Sequence, residues 1–471
     1  MTLQLHNTLT GRVEEFRPLE PGLVRLYTCG PTVWNYSHVG NCRAYLVYDL
    51  LRRQLLVSGY RVRHVMNITD VDDRIIEQAS AAGVGIARFT RRYEEAFLED
   101  VRALRIEEAE VYPRATGHVE EMMALIERLI EGGHAYEVDG DVYFRIASFP
   151  AYGALSHLDR AGLRPGARVA TDKYEKESAT DFALWKRAGA EDERVGAAWE
   201  APFGRGRPGW HIECSAMAMK YLGETLDIHM GGIDLLFPHH ENEVAQSEAA
   251  TGRRFARYWV HSEHVTDATG GKMSKSEGNF TTLRDLIAAG HDPLAVRLFL
   301  LGNAHYRSRL RLTDDGLRGA AEQLRRLRDF ASRVRRAEPG RADDAALFQS
   351  VQDVRHGYRA ALDDDLNLPA GLGQVFELVR EANAALDAGR VGTAGREALV
   401  ELLGEVDAHL DVLREERVSL DEAVERMIVQ REEARRTRDF ATADRIRDDL
   451  RERGIVLEDS RDGVRWRVVR R

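Results

Sequence analysis

Apolar and polar positions change period several times along this chain, and each change marks an element. Val24–Tyr27 and Arg61–Met66 are apolar runs of strand length. Between them lies a helical run, Ala44–Ser58, broken by Gly59 and Tyr60. Strand, helix and strand in that order predict a parallel α/β nucleotide fold. Helical spacing returns over Arg88–Glu110 and Gly117–Glu131, the second closed by Gly132 and Gly133 as a glycine C-cap. Tyr136–Phe203, rich in Gly and Pro, has no clear period and reads as strands and loops inserted between two halves of the nucleotide fold. Trp210–Tyr221 and Pro238–Ala250 read as helices, with Leu226–Met230 as a strand between them.

Beyond Arg309 the pattern becomes Ala, Leu, Arg, Asp and Glu at helical spacing to Glu415, a helical bundle. A last unit pairs helices Leu420–Arg438 and Phe440–Arg453 with strands Ile455–Glu458 and Val464–Val469. Asp462-Gly463 is the hairpin-turn pair between those strands. The chain therefore divides into 1–310 with an insertion at about 114–203, a bundle at 311–415 and a terminal unit at 416–471.

Composition narrows the class. At 471 residues the chain is too long for one ordinary core. Apolar content of 44% and charged content of 31% are those of a globular protein. No apolar run reaches membrane-spanning length, and MTLQLHNTLTGRVEEF lacks the charged-then-apolar order of a signal, so a cytoplasmic location is expected. Three cysteines, Cys29, Cys42 and Cys214, are too few for a disulfide framework and favour metal or catalytic roles. A net charge of −10 excludes indiscriminate nucleic-acid binding but not local patches. Arg431–Arg471 holds 13 arginines against 10 acids, so that stretch is +3.

Two segments suggest phosphate chemistry. Gly270–Asn279, reading GGKMSKSEGN, sets Lys272, Lys275, Ser274 and Ser276 on a short glycine-flanked loop. Wrapping polyphosphate takes flexible backbone, cations and hydroxyl donors together. His38-Val39-Gly40-Asn41 follows the first strand and the turn Cys29-Gly30-Pro31, where a helix start offers unpaired N–H groups to phosphate. For a metal, zinc takes thiolate, imidazole and carboxylate. Cys29 falls at a strand end, Cys214 lies far away, and His239 and Glu243 are four apart in a helical segment. With no CxxC pair, and with His211, His240 and Glu241 also eligible, the residues alone leave the ligand set open.

Taken together and in this order, His38–Asn41 and Lys272–Ser276 resemble the HIGH and KMSKS signatures of class I aminoacyl-tRNA synthetases. CGPTV from Cys29, NITDVDD from Asn67, GWHIECS from Gly209 and FPHHENE from Phe237 resemble cysteinyl-tRNA synthetases, and the likeness continues through Asp439–Trp466. The resemblance implies a Rossmann-type α/β catalytic domain, a helical bundle and a small α+β anticodon-binding unit. It implies one zinc ion held by Cys29, Cys214, His239 and Glu243, with Cys42 left as a buried residue.

It further implies ATP with Mg2+, bound by His38, Gly40, Asn41, Gly232, Asp234, Lys272, Met273, Ser274, Lys275 and Ser276. His38, Asn41, Lys272 and Lys275 would act on the phosphates, and Asp234 on the ribose. Thr69, Trp210 and His211 would wall the L-cysteine pocket. In the tail, Asp459, Arg461, Asp462 and Trp466 would contact the anticodon of tRNA(Cys). Strand alternation sets Trp466 opposite Arg465 and Arg467, which suits a core residue as well as a stacking platform. A monomer without membrane contact is expected.

Two departures from the family pattern stand out. Asn41 replaces the final His of the class motif, and Glu177–Phe182 lacks the Asn-Pro usual before Asp181. Two other functions compete with charging tRNA. One is the paralogue that joins cysteine to an amino-sugar inositol in mycothiol synthesis, which lacks a tRNA-reading tail. The other is a non-catalytic RNA-binding homologue, which would lack the lysine loop or the metal ligands.

Overall fold

The computed structural model describes residues 2–158, 181–271, 280–338, 340, 344–414, 422–452, 455–460 and 463–468. These form two compact units, Met1–Leu413 and Arg414–Arg471. The first is built on four parallel strands, β1 (Leu23–Thr28), β2 (Arg61–Met66), β3 (Leu226–Gly232) and β4 (Ala256–Ser262), in the order β4-β3-β1-β2. Leu26 pairs with Ile228 and His64, and Ile228 in turn with Tyr258. Alternation then sorts each strand between two cores. Leu26, Ile228, Tyr258 and Val260 join one, and Tyr27, Val65 and Trp259 join the other.

Helix α1 (Val39–Val57) follows β1 and starts five residues before the helical run read from sequence. The reason is local: His38 caps it, accepting from the N–H groups of Gly40 and Asn41, while Asn41 Oδ1 accepts from the His38 N–H. The expected helix Arg88–Glu110 is Ile86–Ala103; Arg105 adopts φ +51 and ends it. A helix at Asp73–Ala81, capped by the Asp72 carboxylate, went unread because the capping residues lie inside the NITDVDD stretch. Gly117–Glu131 begins at Val119 and ends at Gly132 as expected.

The inserted region, read as lacking a period, contains an antiparallel sheet of Ala135–Val138, Asp141–Phe144, Phe182–Arg187 and Gly206–Pro208. Asp141–Phe144 and Phe182–Lys186 are buried on both faces, which erases the alternation that a half-exposed strand shows. Helix α2 (Trp210–Leu222) matches its expected start. Helix α3 (Glu241–Thr251) is led in by a π-helical turn ending at His240, and because Phe237, the residue before proline, is extended at φ −137 and ψ 130, the helical path into α3 starts at Pro238 as expected.

Two short parallel strands follow, β5 (Val265–Thr266) and β6 (Leu310–Arg311), on either side of helix α4 (Pro293–Gly302). The bundle is α5 (Asp314–Arg336), α6 (Ala345–Asp363), α7 (Leu368–Asp387) and α8 (Thr393–Leu410). Its leucines share the core that covers α1 and α4. A buried ionic knot adds direction to that packing. Arg297 donates to the Asp49 carboxylate at 2.5 Å and to the carbonyls of Leu410 and His409 at 2.6 and 3.0 Å. Arg53 donates to the same Asp49 at 2.9 Å. Removing one partner of such a buried set typically costs about 3–5 kcal/mol.

The second unit consists of α9 (Glu422–Arg436), α10 (Phe440–Glu452) and an antiparallel hairpin, Ile455–Ser460 with Gly463–Val468. Ser460 pairs with Gly463, so Gly463 belongs to the strand and not to the turn expected for it. Among the described residues no helix is long and apolar enough to cross a membrane.

Candidate active site

The carboxyl ends of β1 and β3, neighbours at the point where the strand order reverses, are where an open α/β sheet presents ligand-binding groups. Cys29 sits just beyond β1, its N–H donating to Met230 O at 3.0 Å. Gly30 next to it must be glycine: a Cβ there would lie 1.8 Å from the Asn67 carbonyl. Gly40 is equally confined, since a Cβ would stand 2.7 Å from the His38 ring. With Nδ1 accepting two backbone N–H groups, a neutral His38 carries its proton on Nε2. The N–H groups of the first turn are already taken, Val39 by Thr281 O and Gly40, Asn41 and Cys42 by His38, so what this start offers a phosphate is the His38 Nε2–H and the positive end of the helix dipole.

The four metal candidates converge. Ligand atoms of Cys29, Cys214, His239 and Glu243 all lie within 4.8 Å of one another, and all four residues are buried. The thiols are 3.9 Å apart, and His239 Nε2 is 3.1 Å from Glu243 Oε1. Two thiols, an imidazole and a carboxylate in a dry pocket fit a tetrahedral zinc ion. A second set, Cys29, His229, His240 and Glu243, meets the same distance and shares two members with the first.

Electrostatics explain how so many ionisable groups coexist without solvent. Burial pushes the Cys29 thiol well above its usual range. Cys214, hydrogen-bonded by Cys29, drops to about 6 despite burial. Burial opposes the Glu243 charge, yet His229 and His239 hold its carboxyl at about 2. Burial also opposes a charged His239, but Glu243 and Cys214 lift it to about 10. The pocket thus holds Cys214 and Glu243 in the anionic forms a cation binds, whereas Cys29 and His239 each have a proton to release before they can ligate one. Around it, burial drives His240 well below its ordinary value and His261 to about 3, leaving both neutral at pH 7.

Trp210 and His211 contact His239 of this pocket, and Thr69 reaches it only through Glu213, the neighbour of Cys214. Trp210 stacks on His239 with centroids 4.3 Å apart, and His211 Nδ1 is 3.1 Å from His239 Nδ1. Buried Thr69 donates to Glu213 Oε2 at 2.9 Å and accepts from Asn67 Nδ2 at 3.1 Å. Asp234 is exposed beyond β3, beside the partly exposed Gly232. Cys42 is buried within α1 and takes no part in either metal set. Lys272, Met273, Ser274, Lys275 and Ser276 lie outside the described residues, as do Arg461 and Asp462. Asp459 and Trp466 belong to the terminal hairpin, where Trp466 pairs in register with Leu457.

Comparison with known proteins then decides the family. The model for the class I (C) tRNA synthetase catalytic domain matches residues 15–322, a DALR domain 357–414, and the cysteinyl-tRNA ligase anticodon-binding domain 417–467. A cysteine–tRNA ligase of Solibacter usitatus is 48% identical over 470 residues, covering 99% of this chain and all of the relative. The chain belongs to the cysteine–tRNA ligase family. Another cysteine–tRNA ligase, from Chlamydia pneumoniae, is 45% identical and covers 98% of this chain and 97% of its own. In structure, methionyl-tRNA synthetase of Mycobacterium tuberculosis aligns over 83% of this chain and 89% of its own. At a TM-score of 0.58 and 16% identity, it shows the shared class I synthetase α/β fold.

Two histidines beside this pocket escaped the sequence. His229 on β3 is 2.9 Å from Glu243 Oε2 and stacks on Trp259, its cross-strand neighbour. His261 on β4 is 2.8 Å from His240. The available signal was a histidine inside each of two apolar strand runs, LDIHM and YWVHS, a position where imidazole needs a partner.

Proposed function

We propose that this member of the cysteine–tRNA ligase family activates L-cysteine with ATP to cysteinyl-adenylate and transfers it to the 3′-terminal adenosine of tRNA(Cys). The observation that carries the reading is the convergence of Cys29, Cys214, His239 and Glu243 beside the capped start of α1. Of the two possible ligand sets, this one keeps two sulfurs, the donors zinc prefers. Zinc bound there, one per chain, would supply a Lewis acid that a substrate thiolate satisfies and a neutral serine hydroxyl does not.

The chain's own residues supply positioning and charge. His38 Nε2–H and the positive end of the α1 dipole hold the α-phosphate region of Mg2+-bound ATP. Gly232 and Asp234 receive the nucleoside, Asp234 accepting from ribose hydroxyls. Lys272 and Lys275, with Met273, Ser274 and Ser276, neutralise the departing pyrophosphate. Thr69, Trp210 and His211 enclose the amino acid and exclude water, so each electrostatic contact counts for more. Asp459, Arg461, Asp462 and Trp466 contact the anticodon. Phe440, 60% exposed at the start of α10, adds a ring on which a base can stack. The protein works in the cytoplasm as a monomer, away from membranes.

Cysteine-dependent ATP–pyrophosphate exchange, followed by charging of bulk tRNA, tests the proposal. Exchange with cysteine and not with serine, and charging of one tRNA species, are the expected results. Exchange that ignores cysteine would overturn it.

A further inference from the structure

Arg43 lies two residues beyond Asn41, and its side chain is fully buried. Its Nη1 donates to the carbonyls of Glu263, His264 and Ser308 at 3.2, 3.2 and 2.8 Å. Its Nη2 donates to those of Ala304 and His305 at 3.5 and 2.9 Å. Among the described residues no carboxylate pairs with it, and Nε has no partner. Burial lowers its pKa to about 10, which still leaves it charged at neutral pH. A buried cation hydrogen-bonded only to carbonyls, with the Glu263 charge helping from beyond pairing distance, is a costly way to join elements, since an apolar side chain of similar size often packs as well. Its placement therefore needs a reason beyond packing.

The five carbonyls mark that reason. Glu263 and His264 immediately precede β5, and Ala304, His305 and Ser308 precede β6. The two strands pair in register, Val265 with Leu310 and Thr266 with Arg311. Beyond β5 a turn closes by Asp267 N–H donating to Gly271 O at 3.0 Å, at the threshold of the lysine segment. The far side of that segment is also tied to α1. Val39 N–H donates to Thr281 O at 2.9 Å, His38 bridges Thr282, and the Phe280 ring meets the His38 ring edge-on. Both flanks of residues 272–279 are thus fastened to the first two turns of the helix whose start faces phosphate.

We propose that Arg43 is a positioning residue for the ATP half of the reaction, setting the start of α1 against the β5–β6 strand pair. It rests on the ATP site proposed above, and it separates from cysteine recognition, because neither Arg43 nor its five carbonyls touches the cysteine–histidine pocket. Misplacing reacting groups by about 1 Å can cost on the order of 100-fold in rate. The guanidinium fork holds five acceptors at once, and a lysine ammonium, with three protons on one atom, cannot span them.

The test measures pyrophosphate exchange and cysteine binding in the full-length protein, wild type beside Arg43→Lys and Arg43→Ala. Cysteine-dependent exchange by the wild type checks the ATP-site reading; the ratio of variant to wild type checks Arg43. Arg43→Lys should lower kcat for exchange on the order of 10- to 100-fold, with KM for cysteine within about twofold. Millimolar guanidinium should restore part of the lost rate in Arg43→Ala, and equimolar urea, neutral and similar in shape, should restore less. If circular dichroism shows Arg43→Ala unfolded, the kcat-against-KM split in Arg43→Lys decides alone. Wild-type exchange kinetics in Arg43→Lys, or equal losses in kcat and in cysteine affinity, would overturn the proposal.

Discussion

The cysteine–histidine pocket and the C-terminal unit are built in opposite ways, and on the proposed reading each way suits what it recognises. The pocket draws Cys29, Cys214, His239 and Glu243 from three separate stretches, and all are buried. The C-terminal unit is built from neighbours in sequence around a small core of Val424, Ile446 and Leu450, and it leaves Val429 and Phe440 65% and 60% exposed. Telling sulfur from oxygen rests on one atom, so it needs groups fixed in a low dielectric, where charge differences are amplified. Reading RNA bases needs the reverse: accessible rings and charges, with affinity summed over several weak contacts.

If the division of labour is right, damage to each region should leave the other's reaction standing. The largest effect is expected for Cys214→Ser, with loss of zinc by elemental analysis and a fall in cysteine-dependent exchange on the order of a thousandfold. Retained zinc at one per chain with unchanged preference for cysteine over serine would break the comparison at its root. Lys275→Ala comes next. Its adenylation rate should fall about 100- to 1,000-fold in rapid kinetics while cysteine binding holds, because its charge matters most in the transition state.

Truncation before Ser419 removes the second unit and should leave exchange within about twofold while charging collapses, as measured by aminoacylation of bulk tRNA. Normal charging by the truncated protein would remove the RNA role. More finely, Phe440→Ala should weaken tRNA binding about tenfold, the size of one lost base stack, without touching exchange. Unchanged tRNA affinity would return Phe440 to an ordinary surface residue.

A last effect, on stability and not on activity, separates the units by pH. The sequence from Arg414 onward contains no histidine, whereas His409, buried in α8 against Gln54 and Tyr358, has its imidazole pushed down by burial to about 4. Between about 6.5 and 4 the unfolded chain binds that proton and the folded chain does not. Stability of the first unit should therefore fall as pH drops through this window, by about 2 kcal/mol from this group by pH 5. Denaturant unfolding of wild type and His409→Gln at pH 8 and pH 5 measures it. An identical pH dependence in the two proteins would exclude His409 as the cause.

Much of this was legible without coordinates, because local rules carried it. The strands Arg61–Met66 and Leu226–Met230, the helix start at Trp210 and the C-cap at Gly132 follow from period and punctuation, and each stands within two residues of its expected place. Where local rules compete, the reading slipped. α1 starts at Val39 because His38 caps it, although Val39-Gly40-Asn41 has poor intrinsic helix propensity. The insertion's buried strands lost their alternation, and Gly463 entered the strand in place of the turn.

The pocket divides along the same line. The amino-acid order alone determined which residue types were available and, through the signatures beginning at Cys29, Gly209 and Phe237, the family to compare. Only the tertiary structure brought Cys29, Cys214, His239 and Glu243 within 4.8 Å and surrounded them with His229 and His261, which no spacing announces. It also gave Arg43 its five carbonyls, the nearest of them 220 residues away in sequence. The physical reason is one of range. Period, caps and turns act over a few residues, whereas the position of a buried charge depends on which backbone dipoles close around it once the sheet, the helix and the strand pair have met.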